Sequence, residues 1–221
     1  HHMTMGEGGA TYTNNPLLKK IMLSMRDWGR DCWCESGVDN TCGRRFSQKF
    51  GELPLGYDHK YVYSHFGFNL KASDMQAAVG CAQIDKFSSF VQHRRQNFKK
   101  LYDGLKDIKE LILVKAQPHS EPSWFGFMMT VADGVKFSRN ELSEHLEKVG
   151  VQTRNLFAGN MIKHLLFADL KRGVDYKISG ELKNTDKIMN DSFWVGVYPG
   201  MSDEKIGYII KVIKEFISTK N

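Results

Sequence analysis

The sequence predicts an α/β or α+β protein, because helical and strand patterns alternate after residue 70. Three segments support this prediction. A capping sequence opens a long helix at Ser73, an apolar run over residues 124–131 has the composition of a strand, and isoleucines at helical spacing mark a helix over residues 201–217. With 221 residues, of which 41% are hydrophobic, the chain is long enough to bury a sizeable core.

The N-terminal segment combines a turn, a strand and a helix. The glycines of residues 5–10 predict a tight turn, and Thr11-Tyr12-Thr13 predicts a short strand. A helix is then predicted from Pro16, which suits a first helical position, to about Ser24. The apolar side chains expected on one face of this helix are Leu17, Leu18, Ile21 and Met22.

Two consecutive helices are predicted after residue 73. Ser73 and Gln76 form a capping-box pattern at the start of the first. That helix is expected to turn inward Met75, Val79, Ala82 and Phe87. The second is predicted to pass through Phe98, Leu101, Tyr102 and Leu105.

The C-terminal half alternates strands with helices. A strand over 124–131 is followed by a helix over 138–148, which begins with the capping pair Ser138 and Glu141 and ends at Gly150. A second strand is predicted over 151–156. The closing helix has on one face Ile206, Ile209, Ile210, Ile213 and Ile217.

Charge and hydropathy exclude two classes of protein. Charged residues make up 25% of the chain with both signs interspersed, so the net charge of +6 indicates a mildly basic enzyme surface and no nucleic-acid partner. A basic cleft would suit a diphosphate ligand equally well, although a solvated helix face better explains the cluster at 93–95. No apolar run approaches the roughly 18 residues of a membrane span, and no signal segment opens the chain, so we expect a cytoplasmic protein.

The sharpest chemical signal is a cysteine cluster in a long loop over residues 26–65. Cys32, Cys34 and Cys42 lie in the pattern Cys-Trp-Cys, seven residues, Cys. Three thiolates on a flexible loop can converge on a soft metal centre, since zinc and iron both favour sulfur ligands. Disulfides are disfavoured, because the chain has no secretion signal and an i, i+2 pair bridges poorly. The spacing differs from the Cys-x-x-Cys of most structural zinc sites, which makes zinc a weaker candidate without excluding it. The cluster therefore predicts a metal site but does not identify the metal.

A complete site needs a fourth ligand. Cys81 lies among small residues on a predicted helix, where a free cysteine more often packs as a small hydrophobe. The missing ligand is therefore expected outside this chain.

Several motifs together resemble a known enzyme family. Residues 1–9, His-His-Met-Thr-Met-Gly-Glu-Gly-Gly, resemble the segment of sugar-nucleotide aminotransferases that holds the lysine which binds pyridoxal phosphate, with His1 in the place of that lysine. An expression tag is the alternative origin of His1 and His2. Together with residues 26–32, the cysteine triplet and residues 56–61, Gly-Tyr-Asp-His-Lys-Tyr, this segment is similar to the CDP-4-keto-6-deoxyglucose 3-dehydratases of that superfamily. The resemblance covers most of the chain.

The resemblance implies a fold and a domain division. The family has the α/β fold of type I pyridoxal-phosphate aminotransferases and works as a homodimer. Residues 1–95, with the cysteine-rich loop 26–65, would be the end of the large cofactor-binding domain, and residues 96–221 the small C-terminal α/β domain. The family's fourth cluster cysteine lies upstream of the catalytic histidine, so this chain is expected to be inactive by itself.

The resemblance also implies a chemistry. Cys32, Cys34 and Cys42 would bind a 2Fe–2S cluster, and pyridoxamine phosphate would condense with the ketone of a CDP-linked 4-keto-6-deoxyhexose. His1 cannot form the imine that a lysine forms, but it can act as a general base near neutral pH. The product would be C3-deoxygenated, on the route to 3,6-dideoxyhexoses of lipopolysaccharide. Electrons would come from an NAD(P)H-dependent reductase that contains flavin and iron–sulfur centres.

Three further residues are matched by position. Asn69 corresponds to an asparagine that reaches the cofactor phosphate across the dimer, although a cap or turn role before Ser73 fits it as well. Arg154 and Asn160 correspond to a segment near the sugar nucleotide, and a surface ion pair is the alternative for Arg154.

Three other interpretations stay open at this point. One is a relative in the same superfamily, such as a sugar-nucleotide aminotransferase or a dehydratase that uses histidine without a cluster and releases ammonia. Another is an interaction module in which the three cysteines hold structural zinc. The third is a degraded, non-functional chain that retains the residues without the site.

Overall fold

The computed structural model of the protein describes residues 1–35 and 37–220. Ser36, in the predicted loop 26–65, and Asn221, the last residue of the predicted domain 96–221, lie outside the described residues. The chain divides into two compact units, one formed by residues 3–83 and the other by residues 1–2 and 84–221. The predicted domain boundary after residue 95 concerns the whole protein and stays a prediction.

The unit of residues 3–83 contains helix α1 (Pro16–Arg26), a 3₁₀ turn (His59–Tyr61) and the start of helix α2 (Asp74–Leu105). Helix α1 forms where it is predicted, because the Asn15 side chain accepts hydrogen bonds from the amides of Leu17 and Leu18 and Pro16 needs no partner for its nitrogen. The rest of the unit is mainly irregular, as expected for the loop 26–65.

The predicted strand at residues 11–13 is wrong. These residues have no regular secondary structure, and the Tyr12 side chain is 93% exposed. The Thr-Tyr-Thr composition favours an extended backbone, but a strand also needs a partner for its amides and carbonyls. None of the described strands pairs with this segment.

Helix α2 is one helix of 32 residues, where two helices were predicted. Its capping box is confirmed: the Ser73 amide donates to Gln76 Oε1 over 2.8 Å, and the Gln76 amide donates to Ser73 Oγ over 3.3 Å. The second set of apolar residues is confirmed as a core face, since Phe98, Leu101 and Leu105 are buried. The first set is wrong, because its members are exposed in this structure: Met75, Val79, Ala82 and Phe87. Helical spacing defines a face without showing what covers it.

The unit of residues 1–2 and 84–221 is built on a four-stranded antiparallel sheet. Its strands are β1 (Leu111–Leu113), β2 (Gly126–Val131), β3 (Thr153–Asn155) and β4 (Ser192–Gly196), in the order β1-β2-β4-β3. Trp194 of β4 is paired with Met128 on one side and with Arg154 on the other. β4 is therefore an inner strand, held by hydrogen bonds on both edges.

Three further helices belong to this unit: α3 (Arg139–Lys148), α4 (Lys183–Asp191) and α5 (Asp203–Ser218). The predicted capping box of α3 is confirmed, with Ser138 Oγ accepting from the Glu141 amide and Glu141 accepting from the Ser138 amide. Two short 3₁₀ turns, Met161–Lys163 and Leu165–Phe167, lie between β3 and α4. The predicted strands at 124–131 and 151–156 are confirmed in shorter form, whereas β1, β4 and α4 are not predicted by the sequence pattern.

The core of this unit lies between the sheet and its helices. The fully buried side chains include Leu101 of α2, Phe127 of β2, Leu146 of α3, Phe193 of β4 and Ile213 of α5. Helix α5 is confirmed as amphipathic. No helix among the described residues is long and apolar enough to cross a membrane.

Candidate functional site

The three clustered cysteines line one cleft in the unit of residues 3–83. Each is a free thiol and partly exposed. Backbone amides point at two of the sulfurs: Thr41 donates to Cys34 Sγ and Arg44 to Cys42 Sγ, both over 3.4 Å. Such contacts stabilise negative charge on sulfur. The structure thus brings together the three residues that the sequence predicts as metal ligands, and their ligation stays a prediction.

The three thiols differ in their electrostatic surroundings. Hydrogen bonds from Thr41 lower the pKa of Cys34, and the contact with His59 lowers the pKa of Cys42. Burial raises the pKa of Cys32, and the neighbouring Cys34 and Cys42 add to that effect. The thiolate is the form that binds metals, so the surroundings of Cys34 and Cys42 favour that form and those of Cys32 do not.

A buried histidine adjoins this cluster. The side chain of His59 has its Nδ1 3.6 Å from Cys42 Sγ and its Nε2 2.5 Å from Asp31 Oδ2. Burial opposes the ionised form of Asp31, but hydrogen bonds from Ser64 and His59 outweigh it and keep the pKa of the carboxyl below its ordinary value. Burial also opposes protonation of His59, and its contacts with Cys42 and Asp31 outweigh that effect, so its pKa is raised.

The backbone of the cysteine loop is anchored by tight turns and ion pairs. Gly29 has a φ of +79°, and a Cβ at this position would lie 1.8 Å from the carbonyl oxygen of His65. Only glycine fits such a close backbone approach. The Lys60 ammonium pairs with Asp39 over 2.9 Å.

The described residues do not by themselves form a metal site. Among residues 1–35 and 37–220, no group of three or more histidine, cysteine or acidic side chains is arranged to hold a metal ion. Cys81, expected to pack in the core, is instead exposed on helix α2. The small residues around it predicted burial, but the helix face that carries them is exposed in this structure.

The candidate catalytic histidine lies in the other unit. The rings of His1 and Phe125 are 5.0 Å apart, and Phe125 in turn lies 5.1 Å from the ring of Trp194. Nδ1 of the next residue, His2, is 3.1 Å from Ser123 Oγ. Burial lowers the pKa of His2 and the Arg94 guanidinium adds to this.

Arg94 departs from the sequence prediction for the basic cluster at 93–95. Its side chain is buried rather than part of a solvated face, and Nη1 donates to the carbonyl oxygens of Trp124 and Val197. A buried cation needs such acceptors. The Arg94 guanidinium therefore holds the backbone just before β2, at Trp124, and just after β4, at Val197. Trp124 is next to Phe125, whose ring contacts His1.

The remaining predicted site residues occupy different environments. Arg154 is exposed on β3, opposite Trp194, and its Nη1 donates to the carbonyl of Thr153 over 2.8 Å. Asn69 is exposed and its backbone forms a bridge to Asp27. Asn160 is 2% exposed and donates its side-chain amide to Asp186 over 2.7 Å. The amide of Asn160 thus has a structural partner in this structure, which does not favour direct contact with a substrate.

The sequence profile of the DegT/DnrJ/EryC1/StrS aminotransferase family matches residues 1–214. The chain belongs to this family. Among curated members, it is 51% identical over 217 residues to the lipopolysaccharide biosynthesis protein RfbH of Salmonella typhimurium, covering 98% of this chain and 49% of that protein. It is 47% identical to the dTDP-4-dehydro-2,6-dideoxy-D-glucose 3-dehydratase of Saccharopolyspora spinosa, covering 99% of this chain and 46% of that enzyme. The chain thus spans about half the length of these relatives.

Solved structures of DegT/DnrJ/EryC1/StrS-like proteins share the fold. The structure of the Escherichia coli GDP-4-keto-6-deoxy-D-mannose 3-dehydratase with bound hydrated PLP matches with a TM-score of 0.77 and 23% identity, over 96% of this chain and 51% of that chain. A DegT/DnrJ/EryC1/StrS aminotransferase from Brucella abortus matches with a TM-score of 0.68 and 16% identity, over 93% of this chain and 45% of that chain. The predicted aminotransferase-like α/β fold is therefore confirmed.

Two residues beside the cysteines were not predicted as site residues. Asp31 directly precedes Cys32, and His59 lies in the segment 56–61 that contributed to the resemblance. A histidine in a family motif is a weak signal, because a histidine that packs in the core is commoner. Only the structure shows that His59 joins Asp31 to Cys42.

Proposed function

We propose that this chain is the part of a sugar-nucleotide 3-dehydratase that carries the catalytic histidine and three ligands of a 2Fe–2S cluster. The observation that supports it best is the gathering of Cys32, Cys34 and Cys42 in one cleft of a DegT/DnrJ/EryC1/StrS family member. The whole enzyme would remove the C3 hydroxyl of a CDP-linked 4-keto-6-deoxyhexose in the cytoplasm. The name of the relative RfbH supports a setting in lipopolysaccharide biosynthesis.

The donor set suits the proposed cluster. Thiolates are the usual ligands of 2Fe–2S centres, and the surroundings of Cys34 and Cys42 favour the thiolate form. All three cysteines are partly exposed and line the same cleft. When bound, the cluster supplies electrons one at a time. The fourth ligand belongs to the part of the protein outside this chain.

The residues also suit pyridoxamine phosphate. His1, in the place of the family lysine, cannot bind the cofactor as an imine, so the cofactor must be held by non-covalent contacts. Asn69 is one candidate for such a contact, because its side chain makes no hydrogen bond to another residue of the described chain. When bound, the cofactor supplies an amine for the C4 ketone of the sugar and a ring that accepts electrons.

His1 would move the proton in this reaction. An imidazole exchanges protons near neutral pH, and we assign His1 to remove the proton from the C4′ carbon of the cofactor. The tilted contact with Phe125 places an apolar ring beside the imidazole and limits its orientations. Arg154, exposed on β3, is assigned to the diphosphate of the nucleotide.

The partners follow from the electron balance. Replacement of the C3 hydroxyl by hydrogen, with release of water, would take two electrons and two protons, so a reductase would have to supply the electrons. We assign this role to an NAD(P)H-dependent protein with flavin and iron–sulfur centres. As in the resembled family, the working enzyme would be a homodimer.

The test is a pair of absorption and electron paramagnetic resonance spectra of the full-length protein, purified without oxygen, before and after dithionite. We expect a reducible 2Fe–2S signal that is lost on Cys32→Ser, Cys34→Ser or Cys42→Ser. The matched control is Cys81→Ser, since Cys81 is exposed on α2 outside the cysteine loop. Protein that takes up no iron after anaerobic reconstitution would overturn the proposal. Ammonia release from substrate would then support a cluster-free dehydratase, and stoichiometric zinc would support a structural module.

The role of His1 has a separate test. His1→Asn should retain bound pyridoxamine phosphate but lose dehydration, measured as release of tritium from C4′-labelled cofactor. Unchanged release from His1→Asn would remove His1 from the mechanism. A variant at His2, His2→Asn, is the control, because the structure gives His2 a contact with Ser123 and no catalytic role is assigned to it.

A further inference from the structure

His59 is the most completely buried ionisable side chain near the cysteines, and the proposed function gives it no role. It is 5% exposed, and both of its ring nitrogens face polar groups. Nδ1 is 3.6 Å from Cys42 Sγ, and Nε2 is 2.5 Å from Asp31 Oδ2. Burial of such a group is costly unless it is hydrogen-bonded, so these two contacts account for its position.

The surroundings allow the imidazole little freedom. The ring of Phe50 stacks on it at 4.9 Å with an interplanar angle of 19°. Ser64 Oγ donates to the other oxygen of the Asp31 carboxylate, and the His59 amide donates to the Arg45 carbonyl over 3.0 Å. The Gln48 amide nitrogen also approaches Nδ1, at 3.5 Å, which is longer than a normal nitrogen hydrogen bond. Asp31 and Phe50 therefore fix the direction in which Nδ1 points.

This arrangement has a known chemical consequence for a sulfur that binds a metal. A thiolate bound to iron has no proton and can only accept a hydrogen bond, and the Asp31 carboxylate likewise only accepts. In the loaded protein the His59 ring therefore donates from both nitrogens, Nδ1 to Cys42 and Nε2 to Asp31, which is the protonated form of the ring. Hydrogen bonds to cluster sulfurs stabilise the more negative, reduced state and raise the reduction potential. A carboxylate behind the imidazole orients the ring, as it does for histidines around metal sites in general.

We propose that His59 is a positioning residue of the cysteine site: oriented by Asp31, it donates a hydrogen bond to the Cys42 sulfur and makes the metal centre easier to reduce. The inference rests on the proposed function, because it concerns the centre that Cys32, Cys34 and Cys42 would hold. It goes further in naming two residues that bind neither substrate nor metal and yet set how readily the centre accepts an electron.

The experiment compares midpoint potentials at one fixed pH in the full-length protein, reconstituted with iron and sulfide and followed by electron paramagnetic resonance during reductive titration. We expect His59→Phe and Asp31→Asn both to shift the potential to more negative values, with a larger shift for His59→Phe. The control is Ile21→Ala, because Ile21 lines the same cleft, is exposed and has no hydrogen-bonding atom in its side chain. Ile21→Ala should leave the potential unchanged.

The outcomes separate this inference from the proposed function. Wild-type protein that takes up no iron overturns the proposed function, whatever the variants do. If the wild-type protein takes up iron, and His59→Phe takes it up with an unchanged potential, the role of His59 is wrong. If His59→Phe does not take up iron at all, the midpoint potential of Asp31→Asn is the test. This variant is expected to fold, since Asp31 is partly exposed and asparagine keeps its size. An unchanged potential in Asp31→Asn then overturns the inference.

Discussion

Arg45 and Asp58 form a two-pronged ion pair, with Nε 2.8 Å from Oδ1 and Nη2 2.7 Å from Oδ2. The pair joins the segment just after Cys42 to the residue just before His59. Its charge-assisted hydrogen bonds lower the pKa of Asp58 to about 2. The contribution of the pair to loop order is thus fully present above the ordinary carboxyl pKa and is lost as pH falls from about 4 towards 2.

Asp58→Asn should loosen this loop at neutral pH. We expect faster hydrogen exchange at the amide of His59, which bonds to the Arg45 carbonyl, because asparagine removes the ionic partner of the guanidinium. In the wild-type protein, exchange at this amide should rise in the same way only as pH falls from about 4 towards 2, after correction for the pH dependence of intrinsic exchange. Asp103→Asn removes a carboxylate paired with Lys99 in the other unit and is the control. Equal exchange in wild type and Asp58→Asn would contradict the prediction.

Gly126→Ala should disturb the sheet beside His1. A Cβ on Gly126 would lie 2.6 Å from the ring of Trp194, so the indole must move. We expect a loss of about 1–3 kcal/mol in the free energy of unfolding, as for other overpacked sites, and a shift in tryptophan fluorescence. Gly196→Ala is a close control, because Gly196 is the sheet partner of Gly126 and its Cβ would have only a 3.8 Å contact. Equal stability losses in the two variants would count against the steric argument.

Ser138→Ala should remove the cap of helix α3. Its Oγ accepts the Glu141 amide over 3.2 Å, and loss of such a cap costs about 1 kcal/mol. Ser138→Thr should retain most of the stability, since threonine also caps and its hydroxyl can keep the hydrogen bond that Ser138 Oγ donates to Glu141 Oε2 over 3.1 Å. Chemical denaturation checks both. A Ser138→Thr variant as unstable as Ser138→Ala would contradict the role of the hydroxyl as the cap.

The same cap predicts a pH dependence. Hydrogen bonds from the Ser138 backbone and from Lys220 lower the pKa of Glu141 to about 2. Stability from this carboxylate is present above the ordinary glutamate pKa and is lost as pH falls from about 4.5 to 2. Glu141→Gln should flatten the fall of the melting temperature over that range. A fall as steep as in the wild-type protein would assign the acid sensitivity to other carboxylates.

Phe127→Ala tests the core. Phe127 has no exposed surface and lies 5.0 Å from the ring of Phe98, so its truncation should cost about 3–5 kcal/mol. Leu165→Ala, in the same unit and 92% exposed, should change the free energy of unfolding by less than about 0.5 kcal/mol. Similar effects of the two substitutions in denaturant unfolding would show that the sheet is not the stabilising core.

Elements with local signals were predictable from the sequence. Ser138 and Glu141 mark α3, and Pro16 marks α1, because caps and first-turn residues act through contacts within a few positions. Helix α4 has no such signal, since its N-cap Leu182 is in the left-handed region with a φ of +55° and no side-chain cap. Strand β1 is only three residues long, too short for a period to be evident.

The clustering of the three cysteines was predictable from the sequence, and the residues that surround them were not. Cys32, Cys34 and Cys42 stand out because they are close in the sequence. Asp31 and His59 are 28 residues apart, and their contact depends on the path of an irregular loop that has no period. Contacts of this kind follow from tertiary structure, so no spacing rule predicts them.

The inner position of β4 has a consequence for how the protein is made. Thr130 of β2 and Ser192 of β4 share a hydrogen bond across 62 positions of the chain. On a ribosome, β2 therefore emerges together with its neighbour β1 but long before β4, its other neighbour, and until then the apolar residues of β2 have no partner from β4. This unit should complete its folding only after nearly all of it has been synthesised, so the nascent chain would be a client for chaperones during that interval.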